Sequence, residues 1–86
     1  MQKIEMEITN PTGLHTRPGT EFVRLAKTFE SSVQIQKGDK SANGKSLVKV
    51  LKIGISRGDV IEIFTEGPDE CEALARIREY IEKLEA

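Results

Sequence analysis

The sequence lacks most of what builds a metal centre, an enclosed catalytic pocket or a membrane segment. Its one cysteine, Cys71, excludes an internal disulfide framework and any multi-cysteine zinc site. The one histidine, His15, with one distant cysteine falls short of the three or four ligands that zinc requires, so no metal and no cofactor is expected. Tryptophan is absent and aromatics make up 5% of the chain. The strands therefore lack the stacking platforms of single-strand nucleic-acid readers, and no nucleic-acid partner is expected. No apolar run approaches the roughly 20 residues of a spanning helix, so no membrane insertion is expected. The opening Met1-Gln2-Lys3-Ile4-Glu5 has no apolar core of a secretory signal, which makes the cytoplasm the expected location. There is no G-x-S-x-G elbow for a hydrolase, and a chain this small encloses no substrate pocket.

What is present is a balanced, compact composition. The 86 residues are 37% hydrophobic, enough for one modest core, and residues 1–86 are expected to form one domain acting as a monomer. The formal net charge of -1 excludes a generic polyanion binder but hides a split. Residues 1–58 hold 10 basic and 5 acidic side chains, whereas residues 59–86 hold 3 and 9. Such asymmetry fits a basic docking side suited to acidic partners, and it equally fits solvated helix faces.

Hydrophobic spacing divides the chain into seven elements. Ile4, Met6 and Ile8 alternate with polar residues as in a half-buried strand, which Asn10-Pro11-Thr12-Gly13 then breaks. Phe22, Ala26 and Phe29 follow helical spacing, predicting a helix from near Thr16 to before Ser31-Ser32. Pro18 is compatible with that helix only in its first turn. Ser32–Gln36 alternates again, Gly38-Asp39 forms a turn, and a short strand follows around Lys40–Ala42. A short helix is predicted from Leu47, with Ser46 at its N-cap and Gly54 just past its end. Val60–Thr65 reads as a central strand. Asp69, with Glu72 three residues on, resembles a capping box opening a last amphipathic helix through Leu74, Ile77, Ile81 and Leu84 to the C-terminus. The order β-α-β-β-α-β-α predicts an α+β fold, an open-faced sandwich with helices on one face of a four-stranded antiparallel sheet.

His15 stands at the predicted start of the first helix. There the N–H groups of His15, Thr16 and Arg17 have no intrahelical acceptor, and Pro18 has none to offer. Those donors, the positive end of the helix dipole and the forked guanidinium of Arg17 make an anion cradle beside a nucleophilic imidazole. A reversible phosphoryl acceptor needs that combination. The competing reading of the same residues is an ordinary exposed cap with an incidental arginine nearby.

Gly13-Leu14-His15-Thr16-Arg17-Pro18 resembles the active-site segment of the HPr family, the phosphocarrier proteins of the phosphoenolpyruvate-dependent sugar phosphotransferase system. Asn43-Gly44-Lys45-Ser46-Leu47 and Ile53-Gly54-Ile55 extend the resemblance, which covers essentially the whole chain. The resemblance implies that His15 accepts phosphate on Nδ1 from phosphorylated enzyme I and passes it to a sugar-specific enzyme IIA. It implies a phosphate held by Arg17 and the Thr16 backbone N–H. It also implies a stoichiometric carrier rather than a turnover enzyme.

Ser46 carries two readings: a helix N-cap, and a regulatory phosphorylation site for an HPr kinase/phosphorylase, as in some members of the family. Leu47, Val48 and Leu51 are expected as an apolar patch rimmed by Lys45, Lys49 and Lys52, although core packing competes as an explanation. The resemblance completes a docking surface with Thr16, Thr20, Val23, Arg24 and Lys27. An apolar centre with a charged rim suits a transient interface. Gly19 departs from the family, which usually has alanine there. Cys71 is read as structurally inert.

Overall fold

The computed structural model describes residues 1–84. Its elements follow the expected order: β1 (Gln2–Glu7), α1 (Thr16–Ala26), β2 (Ser32–Lys37), β3 (Lys40–Asn43), α2 (Leu47–Ile53), β4 (Val60–Glu66) and α3 (Glu70–Glu82). The strands form one sheet in the order β1-β4-β2-β3, and all three pairings are antiparallel. β4 is interior, as its apolar run predicts. Ile63 lies between Ile4 of β1 and Ile35 of β2, and Ile61, Ile63 and Thr65 are all fully buried. Burial of each such isoleucine contributes about 1.5–3 kcal/mol. The alternate residues face outward, where Lys3 Nζ lies 2.9 Å from Glu62 Oε2 and 5.7 Å from the centre of the Phe64 ring.

The inner face is covered by Phe22, Val23 and Ala26 of α1, Val50 and Ile53 of α2, and Ala73, Ile77 and Ile81 of α3. This is the expected open-faced α+β sandwich. Ser46 is the N-cap of α2, and Gly54 closes that helix with a left-handed φ of 73°.

Three boundary expectations change. First, α1 ends at Ala26 and does not continue toward Ser31. The next amides turn back tightly, Thr28 N–H to the Leu25 carbonyl (3.0 Å) and Phe29 N–H to the Ala26 carbonyl (3.3 Å). Phe29 still points inward, so the apolar spacing outlasts the helix. The Lys45 ammonium donates to the Phe29 carbonyl at 2.8 Å, so Lys45 closes this turn instead of rimming the apolar patch on α2.

Second, Asp69 is the N-cap of α3, but its side chain does not cap the helix. Its carboxylate accepts the amides of Glu30 (3.0 Å) and Ser31 (2.9 Å) and the Ser31 hydroxyl, clamping the turn after α1 onto the start of α3. Gly67 makes that approach possible. Its φ is 147°, and a Cβ there would lie 2.7 Å from Ser31 Cα. Third, α3 ends at Glu82, with Leu84 packed part-buried against the core just beyond it. The final residues of the expected helix, 85 and 86, lie outside the described residues.

Candidate functional site

The segment before α1 is fixed on three sides. The Ile8 amide donates to the Asp59 carbonyl at 2.8 Å, and the Gly58 amide returns to Ile8 at 2.7 Å. Buried Asn10 donates from Nδ2 to the Gly13 carbonyl at 2.9 Å, while the Gly13 amide donates to Asn10 at 3.2 Å. The Leu14 amide then donates to the Ile55 carbonyl at 3.1 Å, and its side chain is buried. Gly13 has φ 60°, and a Cβ there would stand 2.3 Å from the Ile55 carbonyl oxygen. Only glycine satisfies both the conformation and the space.

Beyond this anchored turn His15 emerges into solvent as the N-cap of α1, with extended backbone and no side-chain capping bond. Its carbonyl accepts the Gly19 amide at 2.7 Å, the first closed turn of the helix. The Thr16 and Arg17 amides precede that bond and have no intrahelical acceptor. No acidic residue stands in this first turn. Arg17 is exposed, and Pro18 is buried within the first turn, where its missing N–H leaves the helix intact. An exposed imidazole, two free backbone donors and a guanidinium thus occupy one helix end whose dipole favours negative charge.

Two further contacts reach this turn. The Thr20 hydroxyl donates to the Thr16 carbonyl at 2.6 Å. The Tyr80 hydroxyl of α3 lies 3.0 Å from the Pro18 carbonyl and 3.1 Å from Glu21 Oε2. Burial pushes the Tyr80 phenol well above its ordinary range, and the adjacent Glu21 carboxylate acts in the same direction. Sequence spacing gives no sign of the Tyr80 contact. Asn10 and Gly13 were legible as turn formers, but not as the parts that hold His15 in place.

The proposed docking residues separate into two groups. Thr20, Val23 and Arg24 of α1, Lys27 just past its end and Leu47 of α2 line one shallow concavity of about 260 Å³. Val23 is 5% exposed, so it belongs chiefly to the core and is not an open contact residue. Lys49 and Lys52 turn away from this concavity. With Lys40, Ser41 and Ile53 they line another, of about 290 Å³, beside β3. Helical geometry explains the split, since residues two or five positions from Leu47 fall on a different side of a helix with 3.6 residues per turn. Val48 is 64% exposed, while Leu47 and Leu51 are part-buried. Both leucines approach Gly19, where a Cβ would lie 3.4 Å from Leu51 Cδ2 and 3.6 Å from Leu47 Cδ1. Those are ordinary contact distances, so the α1–α2 packing does not itself require glycine; the tighter neighbour is the Leu14 carbonyl oxygen, 3.2 Å from such a Cβ. The Ser46 hydroxyl makes no capping bond.

An open-faced sandwich that displays its one histidine at a helix start is the class of fold in hand, and comparison with known proteins gives it a family. Residues 2–83 match the family described as "PTS HPr component phosphorylation site". The phosphocarrier protein HPr of Vibrio cholerae is 38% identical, with 98% of this chain and 99% of that protein aligned. HPr of Buchnera aphidicola is 41% identical over 94% of this chain and 95% of its own length. The crystal structure of HPr-C-His from Thermoanaerobacter tengcongensis superposes with a TM-score of 0.93 at 39% identity, covering 95% of this chain and 92% of that one. The chain belongs to the HPr family of phosphocarriers of the phosphotransferase system.

Proposed function

We propose that this chain is a single HPr-like carrier domain in which His15 is the residue that is phosphorylated. The imidazole Nδ1 lone pair attacks the phosphorus of phospho-enzyme I. The donor's bond to phosphorus breaks as the Nδ1–P bond forms, and the reverse chemistry on an enzyme IIA releases the group. The Thr16 amide and Arg17 hold the transferred oxygens. The chain's contribution is position and charge, so it acts stoichiometrically and without a cofactor. One observation carries this reading: His15 caps α1 with its side chain uncommitted while the first amides and Arg17 stand beside it.

The setting follows from the same reading. Among the described residues no helix is long and apolar enough to cross a membrane. The carrier works in the cytoplasm as a monomer. Enzyme I and enzyme IIA dock on the surface formed by Thr20, Arg24, Lys27, Leu47, Val48 and Leu51, with Val23 as its floor and Lys49 and Lys52 at its far side. Ser46 is proposed as a regulatory phosphorylation site for an HPr kinase/phosphorylase, because its hydroxyl is not consumed by capping. A phosphate there would add negative charge beside a surface made for acidic partners.

Incubation with phosphoenolpyruvate and enzyme I should raise the intact mass by one phosphoryl group that acid removes. Absence of that adduct, or its persistence in His15→Ala, defeats the assignment.

A further inference from the structure

We propose that Tyr80 is a positioning residue of the phosphoryl site: its hydroxyl, reaching from α3, fixes the first turn of α1 that carries His15 and Arg17. The inference rests on the reading of His15 as the phosphoryl acceptor.

The first turn of α1 is weakly held by its own sequence. Pro18 supplies no N–H, and Gly19 brings no Cβ and the largest backbone freedom of any residue. The Gly19 amide to His15 carbonyl bond and the Thr20 hydroxyl to Thr16 carbonyl bond are both local to α1. They shape the turn without fixing it relative to the rest of the molecule. Leu14, held to Ile55, anchors the turn ahead of His15, and Tyr80 adds a second external reference on the other side of Arg17. Its ring extends from a helix whose Ala73, Ile77 and Ile81 are buried in the core, and its hydroxyl lies 3.0 Å from the carbonyl of Pro18, the residue after Arg17.

A hydroxyl has one proton to give, and Glu21 Oε2 at 3.1 Å competes for it. The two acceptors differ in kind. Glu21 is exposed and can turn to water, whereas the Pro18 carbonyl belongs to the backbone that aims the Thr16 and Arg17 amides. Only the Pro18 bond can transmit a position to the site. The donor is constant, because a phenol is protonated across the physiological range and burial moves it further in that direction. Positional errors of this kind weigh on group transfer, where donors must meet the oxygens of the transition state.

The test is single-turnover phosphoryl transfer from labelled enzyme I to the parent chain, Tyr80→Phe and Glu21→Gln, over a range of donor concentrations. Y80F should lower the transfer rate at saturation by about fivefold, the scale of one net hydrogen bond, with half-saturation unchanged. E21Q should transfer at the parental rate or faster, because a neutral amide oxygen competes with the Pro18 carbonyl for the phenol proton less strongly than a carboxylate does. The proposal is overturned if Y80F matches the parent, or if it changes only half-saturation, which would place Tyr80 in docking. It is equally overturned if E21Q slows transfer as Y80F does. A parent that accepts no phosphate would instead overturn the carrier reading itself.

Discussion

At the start of α3 the chain supplies its own negative charge. Glu70 and Glu72 stand in the first turn, and the Glu70 carboxylate accepts the Gly67 amide at 3.1 Å. At the start of α1 there is no acidic residue, and the side chains at hand are an imidazole and a guanidinium. Both ends carry the same partial positive charge. In α3 that charge is neutralised internally and the helix end serves as a joint, with Asp69 clamping Ser31. In α1 it is left open, and rigidity comes from outside the helix, through Asn10, Gly13, Leu14 and Tyr80. A helix start becomes a binding site when its neighbours hold it in place without filling it.

The comparison can be broken most strongly by making α1 begin like α3. Arg17→Glu removes the guanidinium and adds a carboxylate beside the free amides. Phosphorylation of His15 should fall by about 100-fold or more, the scale of losing one preorganised donor, while circular dichroism stays unchanged. Gly13→Ala attacks the external support. The left-handed φ alone costs about 1–3 kcal/mol, and the Ile55 carbonyl at 2.3 Å adds to it, so the urea midpoint should drop clearly.

Asp69→Asn tests the α3 end. The Ser31 hydroxyl, then the Ser31 and Glu30 amides, hold the Asp69 carboxyl below its ordinary value of 3.8. Its stabilisation is therefore complete above that value and is lost as pH falls through the lower folded value. D69N should lower the urea midpoint at neutral pH and make the loss of stability below about pH 4 shallower than in the parent. Phosphoryl transfer by the folded variant should be unaffected. Ser46→Ala should have the smallest effect, less than about 0.5 kcal/mol by urea unfolding against about 1 kcal/mol for a typical cap, because the hydroxyl makes no capping bond.

Much of the sheet was legible because a half-buried strand writes its face into every second residue. Ile4 and Met6, Val33 and Ile35, and Ile61 and Ile63 all turn inward as their alternation predicts. His15 was legible as a cap because a proline three residues later fixes the helix start. The errors arose where a local pattern had a distant competitor. Phe29 keeps helical spacing, yet Lys45 takes its carbonyl and Asp69 the two amides that follow, so the chain turns there. Asp69 and Glu72 have the spacing of a capping box, but Ser31, 38 residues away, takes the aspartate. Lys49 and Lys52 are near Leu47 in sequence and on another side of the helix in space. The strand order and the Tyr80 contact join segments too far apart for any local spacing to reveal.

The order β1-β4-β2-β3 also fixes when this molecule can be assembled. β1 pairs only with β4, and Gln2 meets Thr65, so the first strand made waits for nearly the last. During synthesis the β2–β3 hairpin can close as soon as it leaves the ribosome, while β1 and the loop bearing His15 have no sheet to join. The pairing that orders them is long-range and slow to nucleate. Phosphoryl competence should therefore appear late on a growing chain, only after residues near Glu66 have cleared the exit tunnel.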